Sequence, residues 1–224
     1  MTFSLVGRCE RTGMVGTAVT SSSPAVAARC AHARTGAGAA ASQNVTDPRL
    51  GPAVLDLMAA GRSAQQAVDA ALAKAPGAAY RQLTAVDEQG STGAFSGAYT
   101  LGTNAVAHGP GAVAAGNLLA SDGVPAAMLE AFAADPGAHL GTRLVAALRA
   151  GLDAGGEEGP VRSAGVVVCD RVEWPVVDLR VDWDDEPIGR LADLWAVWEP
   201  QIADYVTRAL DPGSSPSFGV AGDE

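Results

Sequence analysis

The residue that concentrates the most chemistry in this chain is Thr2 of MTFSLVGRC. A threonine behind the initiator methionine is small enough to permit methionine removal, which would leave a hydroxyl and a free α-amine on one residue. Together these make a nucleophile that carries its own base. The competing reading is that Thr2 is only a β-branched residue opening a strand. Arg34 and Arg180 each offer a guanidinium fork suited to a substrate carboxylate, and Arg34 is preferred because Arg180 lies in DLRVD, where Asp178 offers it an ion pair. Asp182, Asp184, Asp185 and Glu186 carry hard oxygens without the glycine turn and spacing of a calcium loop. Directly ahead of Pro187 they read as the acidic entry to a helix. His32, His108 and His139 are scattered, and Cys30 with His32 is a CxH pair lacking companions, so no metal site and no cofactor are expected. Cys9, Cys30 and Cys169 have neither CxxC spacing nor a positional partner, which speaks against a disulfide framework and a cysteine nucleophile. The glycines of AHGPGAVAAGN lack the lysine and Ser/Thr that would touch a phosphate, and a turn between strands explains them.

The bulk properties limit what such a site can serve. The chain has 224 residues and is 48% hydrophobic, enough for a full core in one domain, taken as residues 1–210 with a disordered tail over 211–224. A net charge of −10 disfavours nucleic acid and anionic membrane surfaces, so a small-molecule substrate is the expected partner. Lys74 is the only lysine, which excludes a lysine base elsewhere. No signal peptide or membrane span is readable, and three unpaired cysteines fit a reducing cytoplasm.

The elements that must position Thr2 follow from periodicity. TFSLVGRC (2–9) and MVGTAVTS (14–21) read as a hairpin turning at Gly13, and the small residues of 36–44 as a central strand with something packed close against it. Residues 50–60 and 63–75 read as two helices, with Gly61 capping the first and Ser63 the second. Strands at 81–88 and 92–97 flank Gln89 and Gly90, and 105–117 supplies two more. Helices follow at 122–134, capped by Ser121, and at 138–153, then strands at 163–169 and 175–182. A last helix spans 188–209, with Leu191, Leu194, Trp195, Trp198, Ile202 and Tyr205 on one face. That face is expected in the core, with a subunit interface of a homo-oligomer as the second reading. Helices arriving in pairs cannot be single crossovers, so antiparallel sheets under helical layers are expected rather than a doubly wound parallel sheet.

TFSLVGR, SQNVTDPRLGPAVLDLMAAG, AVDEQGSTGAFSG, GNLLA and VDLRVD, in this order, resemble the family called domain of unknown function 1028 over residues 2–205. Its members are similar in fold to N-terminal nucleophile hydrolases. The resemblance therefore implies an α+β, four-layer αββα sandwich of two antiparallel sheets between helical layers. It also implies an amide hydrolase whose first mature residue attacks a carbonyl while its own amine takes the hydroxyl proton. Thr2 matches the threonine that opens this family, and Ser21 a serine ending the second strand. Gln43 matches a Thr-Gln pair, with Ser42 in the threonine's place, and Asn117 a Gly-Asn step, with Ala115 where glutamine is usual. Ser22 stands where a basic residue is common. Ser21, Ser22, Gln43, Asn117 and Arg34 are the groups left to polarise a carbonyl. The plainer reading of Gln43 and Asn117 is of buried amides satisfying backbone near strand ends. A scaffold of this fold that binds a metabolite or partner without catalysis is the alternative function.

Overall fold

The computed structural model describes residues 1–221. Thr2–Arg8 (β1) and Val15–Ser21 (β2) form an antiparallel hairpin with Phe3 opposite Thr20 and Arg8 opposite Val15. Gly13 adopts φ +81° in the connection, where a side chain would be strained. A short helix, Ala27–Cys30 (α1), and a strand, Ala31–Arg34 (β3), come next. Neither is anticipated from the sequence, because four residues are too few for a period to register.

Gly38–Asn44 (β4) precedes two helices, Leu50–Ala59 (α2) and Ala64–Leu72 (α3). Ser63 starts α3 as expected, in a capping box with Gln66. Arg81–Asp87 (β5) and Thr92–Ser96 (β6) follow, then Ala105–Gly109 (β7) and Ala112–Asn117 (β8). Val124–Ala134 (α4) and Leu140–Asp153 (α5) form the second helical pair. Ser121 does not cap α4 directly; its hydroxyl accepts from Gly123 N in the turn before it. Ser163–Cys169 (β9) and Pro175–Val181 (β10) complete the strands.

The predicted last helix is broken. Pro187–Trp198 (α6) and Ile202–Leu210 (α7) are separated by a 3-10 turn over Glu199–Gln201, where Pro200 withholds an amide hydrogen. The expected apolar face is not buried as one: Leu191 and Trp195 are buried, Leu194 on α6 itself is 42% exposed, and Tyr205 beyond the break is 40% exposed. Trp198 is anchored instead by donating Nε1–H to Val176 O at 2.9 Å. Of the tail 211–224, Pro212–Ser214 form another 3-10 turn, and residues 222–224 lie outside the described residues.

All strand pairs are antiparallel, in a six-stranded sheet of order β10-β9-β2-β1-β8-β7 and a four-stranded sheet of order β3-β4-β5-β6. The larger sheet packs one face on α4, α5 and α6 through Phe3, Leu5, Met128, Leu144, Leu148 and Leu191. The smaller sheet packs on α2 and α3 through Leu83, Val54 and Val68. Between the sheets lie Val6, Ala39, Ala41, Val86 and Val113, which gives the αββα layering. The alanines of β4 let the sheets approach closely. Alternation along β1 sends Phe3 and Leu5 to the helices and Thr2, Ser4 and Val6 toward the other sheet. Among the described residues no helix is long and apolar enough to cross a membrane.

Candidate functional site

β1 is an interior strand, so Thr2 has a neighbour on each side: Ser21 on β2, next beyond the Phe3–Thr20 pair, and Asn117 on β8, its direct partner. Thr2 Oγ1 lies 2.5 Å from the Met1 carbonyl oxygen and 3.3 Å from Ser21 Oγ. Ser21 Oγ donates to that same carbonyl at 2.5 Å and accepts from Ser23 N at 3.1 Å. Thr2 and Ser21 are 6% and 1% exposed. The segment after Ser21 is laced to β9, since Ser163 Oγ donates to Ser23 O and accepts from Val26 N. Two hydroxyls thus converge on one carbonyl oxygen at the edge of the inter-sheet layer.

A second cluster stands beside them. Gln43 Oε1 accepts from Ser4 Oγ at 2.7 Å, and Gln43 Nε2 donates to Gln82 Oε1 at 2.8 Å and to Ala115 O at 3.3 Å. Asn117 Nδ2 donates to the same Gln82 Oε1 at 3.1 Å, and Gln82 Nε2 donates to Ser96 Oγ and Gly116 O. Both hydrogens of the Gln43 amide are therefore committed within the protein, and Gln43 acts by fixing Ser4 and Gln82 across the two sheets. Asn117 differs, because its Oδ1 is buried without a partner among the described residues. The free atom is an acceptor, suited to an incoming N–H rather than to a developing oxyanion.

The loop after α5 brings a buried carboxylate to the segment that follows β2. Glu157 is 6% exposed; its Oε2 accepts from Ser22 N at 3.3 Å, while Oε1 is buried without a partner. Backbone bonds from Ala120 N to Gly156 O and from Glu158 N to Leu118 O clamp this loop against the GNLLA segment. Burial pushes the Glu157 carboxyl up to about 7, against the downward pull of the chain's terminal ammonium and of the Ser22 hydrogen bond. Met1 occupies the intervening space: a Cβ placed on Gly159 would come within 3.2 Å of Met1 Cε.

Of the residues singled out in the sequence, Ser21 and Asn117 flank Thr2 on the neighbouring strands, Ser22 follows Ser21, and Gln43 reaches Ser4 from the facing sheet. Arg34 stands elsewhere, at the far end of β3, opposite Gly38, and pairs with Asp56 at 2.9 Å on the surface. Arg180 makes the ion pair expected of it, donating through Nε and Nη2 to both oxygens of Asp178. The acidic run leads into α6, with Pro187 in its first turn; Asp184 accepts from Glu186 N, and Asp185 pairs with Arg162. Among the described residues no group of three His, Cys, Asp or Glu side chains is placed to hold a metal ion.

Two residues escaped the sequence. Gln82 is a lone amide in the otherwise β-rich RQLTAVD, and a buried amide in such a strand was a usable signal. Glu157 was not separable from Glu158 in GGEEGP, since only the fold buries one and exposes the other.

No curated protein matches the chain. A crystal structure of protein SPO2555 from Silicibacter pomeroyi, which carries the DUF1028 family model, is similar with a TM-score of 0.83 and 32% identity. The likeness covers 91% of this chain and 89% of that one. Residues 2–191 match the model described as "Family of unknown function (DUF1028)". With most of its length matched in sequence and the same architecture in a solved relative, the chain belongs to the DUF1028 family.

Proposed function

We propose that this protein is an N-terminal nucleophile hydrolase, acting on a small polar amide once Met1 is removed. Thr2 Oγ1 attacks the amide carbonyl, the Thr2 α-amine takes the hydroxyl proton and returns it to the leaving amine, and water, giving a proton to the same amine, then cleaves the ester and restores the hydroxyl. Ser21 Oγ is the donor for the developing oxyanion, a role supported by its bond to the Met1 carbonyl oxygen. Asn117 Oδ1 receives an N–H of the substrate or of the Thr2 ammonium. Glu157, held at Ser22 N, offers its carboxylate to the freed amine. The observation that carries this reading is that the residue whose loss would unmask the amine fills the space between Thr2, Ser21 and the Glu157 loop. The proposal takes residues 1–210 as one domain and the cytoplasm as its location, in keeping with three buried free thiols. It also includes a homo-oligomer formed through α6 and α7, where Leu194 and Val197 are exposed.

A second reading, a non-catalytic scaffold binding a metabolite or partner, is favoured by one observation: Asn117 Oδ1, on the strand beside Thr2 and without a partner among the described residues, is an acceptor and not an oxyanion donor. Intact mass of protein from the native host distinguishes the two. The enzyme reading requires a chain starting at Thr2, and on that material a screen of small amides should give turnover that Thr2→Ala abolishes without lowering the melting temperature. Retained methionine, or equal turnover in the variant, would refute it.

A further inference from the structure

The end of β1 remote from Thr2 opens into a cavity of about 680 Å³. Its walls are the β1–β2, β5–β6 and β7–β8 turns, the last turn of α4 and the start of α5. Seven residues of strand at about 3.3 Å each put the two ends roughly 20 Å apart, so nothing small bridges them.

Three arginines line this cavity: Arg8, Arg11 and Arg143. None of them takes part in an ion pair among the described residues. Arg143 is only 8% exposed. Its Nε donates to Phe132 O at 2.9 Å and its guanidinium carbon lies 3.9 Å from the Phe132 ring centroid, which fixes the plane of the fork. No hydrogen bond from its two terminal nitrogens occurs among the described residues. Arg8 Nε is buried without a partner among the described residues. Arg11, exposed, reaches across the cavity to donate to Gly137 O at 2.8 Å. Glu10 is the sole acid on the wall, and nearby Asp135 is occupied in accepting from Gly137 N and Ala138 N.

Guanidinium groups withdrawn from water without a counter-charge are costly, and this chain has acids to spare, 25 against 15 bases. Concentrating unpaired cations in one concavity of an acidic protein makes sense when the counter-charge arrives with a ligand. Forked donors at several angles match an oxyanion with more than one charge, whether phosphate or carboxylate. We propose that this cavity is a binding site for a small multiply charged anion, a phosphate ester or polycarboxylate, gripped by Arg143 as the fixed fork with Arg8 and Arg11 closing on it.

Calorimetric titration of the full chain with pyrophosphate, inorganic phosphate and citrate, in a background of about 0.15 M NaCl, tests this directly. Saturable one-site binding of pyrophosphate or citrate is expected, and the tighter of the two names the source. Binding should weaken about tenfold or more in Arg11→Ala and vanish in the Arg8→Ala, Arg11→Ala double variant. Arg62→Ala, outside the cavity, should leave it within about twofold by the same arithmetic. The proposal is overturned if none of the three anions gives saturable heat. It is equally overturned if the double variant, with its melting temperature intact, binds as tightly as the parent. Should the double variant fail to fold, Arg11→Ala, which removes one bond from an exposed side chain, decides by the same criterion.

Discussion

Replacing Glu157 by glutamine should make the protein more stable, and only on the alkaline side. The glutamine keeps the shape and can still accept from Ser22 N, but has no charge to strip of water. In the unfolded chain Glu157 loses its proton near its ordinary 4.5, whereas in the folded chain burial delays that loss to about 7. Between those values the native state holds a proton that the unfolded state has released, so stability falls as pH rises through the window and stays low above it. Moving a carboxyl from 4.5 to about 7 corresponds to about 3 kcal/mol, at about 1.4 kcal/mol per pH unit. For a chain of this size that is about 6–12 °C of melting temperature. Thermal and urea unfolding of parent and Glu157→Gln, each with its N-terminus defined by intact mass, should give curves that nearly coincide at about pH 4.5 and diverge to that extent by about pH 8. Parallel curves would show that burial does not raise the Glu157 carboxyl in the folded chain and would refute this reasoning.

Two further outcomes follow from the interior. Gln82→Leu deletes the acceptor shared by Gln43 Nε2 and Asn117 Nδ2 and should cost about 2–4 kcal/mol by urea unfolding. Burial pushes the Cys169 thiol up to about 11 and Cys30 also upward. Neither should react with a disulfide reagent at about pH 8 until denaturant opens the fold, and rapid labelling of the native protein would contradict that burial.

The parts of this fold that could be read in advance are those whose cause is local. Gly13, Gly90 and Gly111 mark hairpin turns because each takes positive φ, and Ser63 with Gln66 announces a helix start within four residues. The two-sheet layering followed from helices arriving in pairs together with the family resemblance. The α1–β3 segment gave no signal, and the apolar period running from Leu191 to Tyr205 hid the break that Pro200 imposes. At the site, Ser21 and Asn117 were singled out beside Thr2 only through the family resemblance, and the register that makes them its neighbours on β2 and β8 belongs to the fold. Glu157 could not be anticipated, since it reaches Ser22 across 135 positions of chain, and Arg34 looked available until Asp56 claimed it.

That Thr2 heads a strand paired on both sides has a consequence for the birth of the protein. Its β8 partner, Asn117, lies 115 positions downstream (117 − 2), so at roughly 5–20 residues per second the leading strand waits about 6–23 s on the ribosome for that flank to exist. During this interval the head of the nascent chain has only its hairpin partner β2 beside it. Afterwards the Met1 carbonyl is gripped by two hydroxyls and its side chain sits against Gly159. For the proposed enzyme, trimming is therefore a race against synthesis. A tag or leader fused ahead of Met1 would run it with the cleft already threaded.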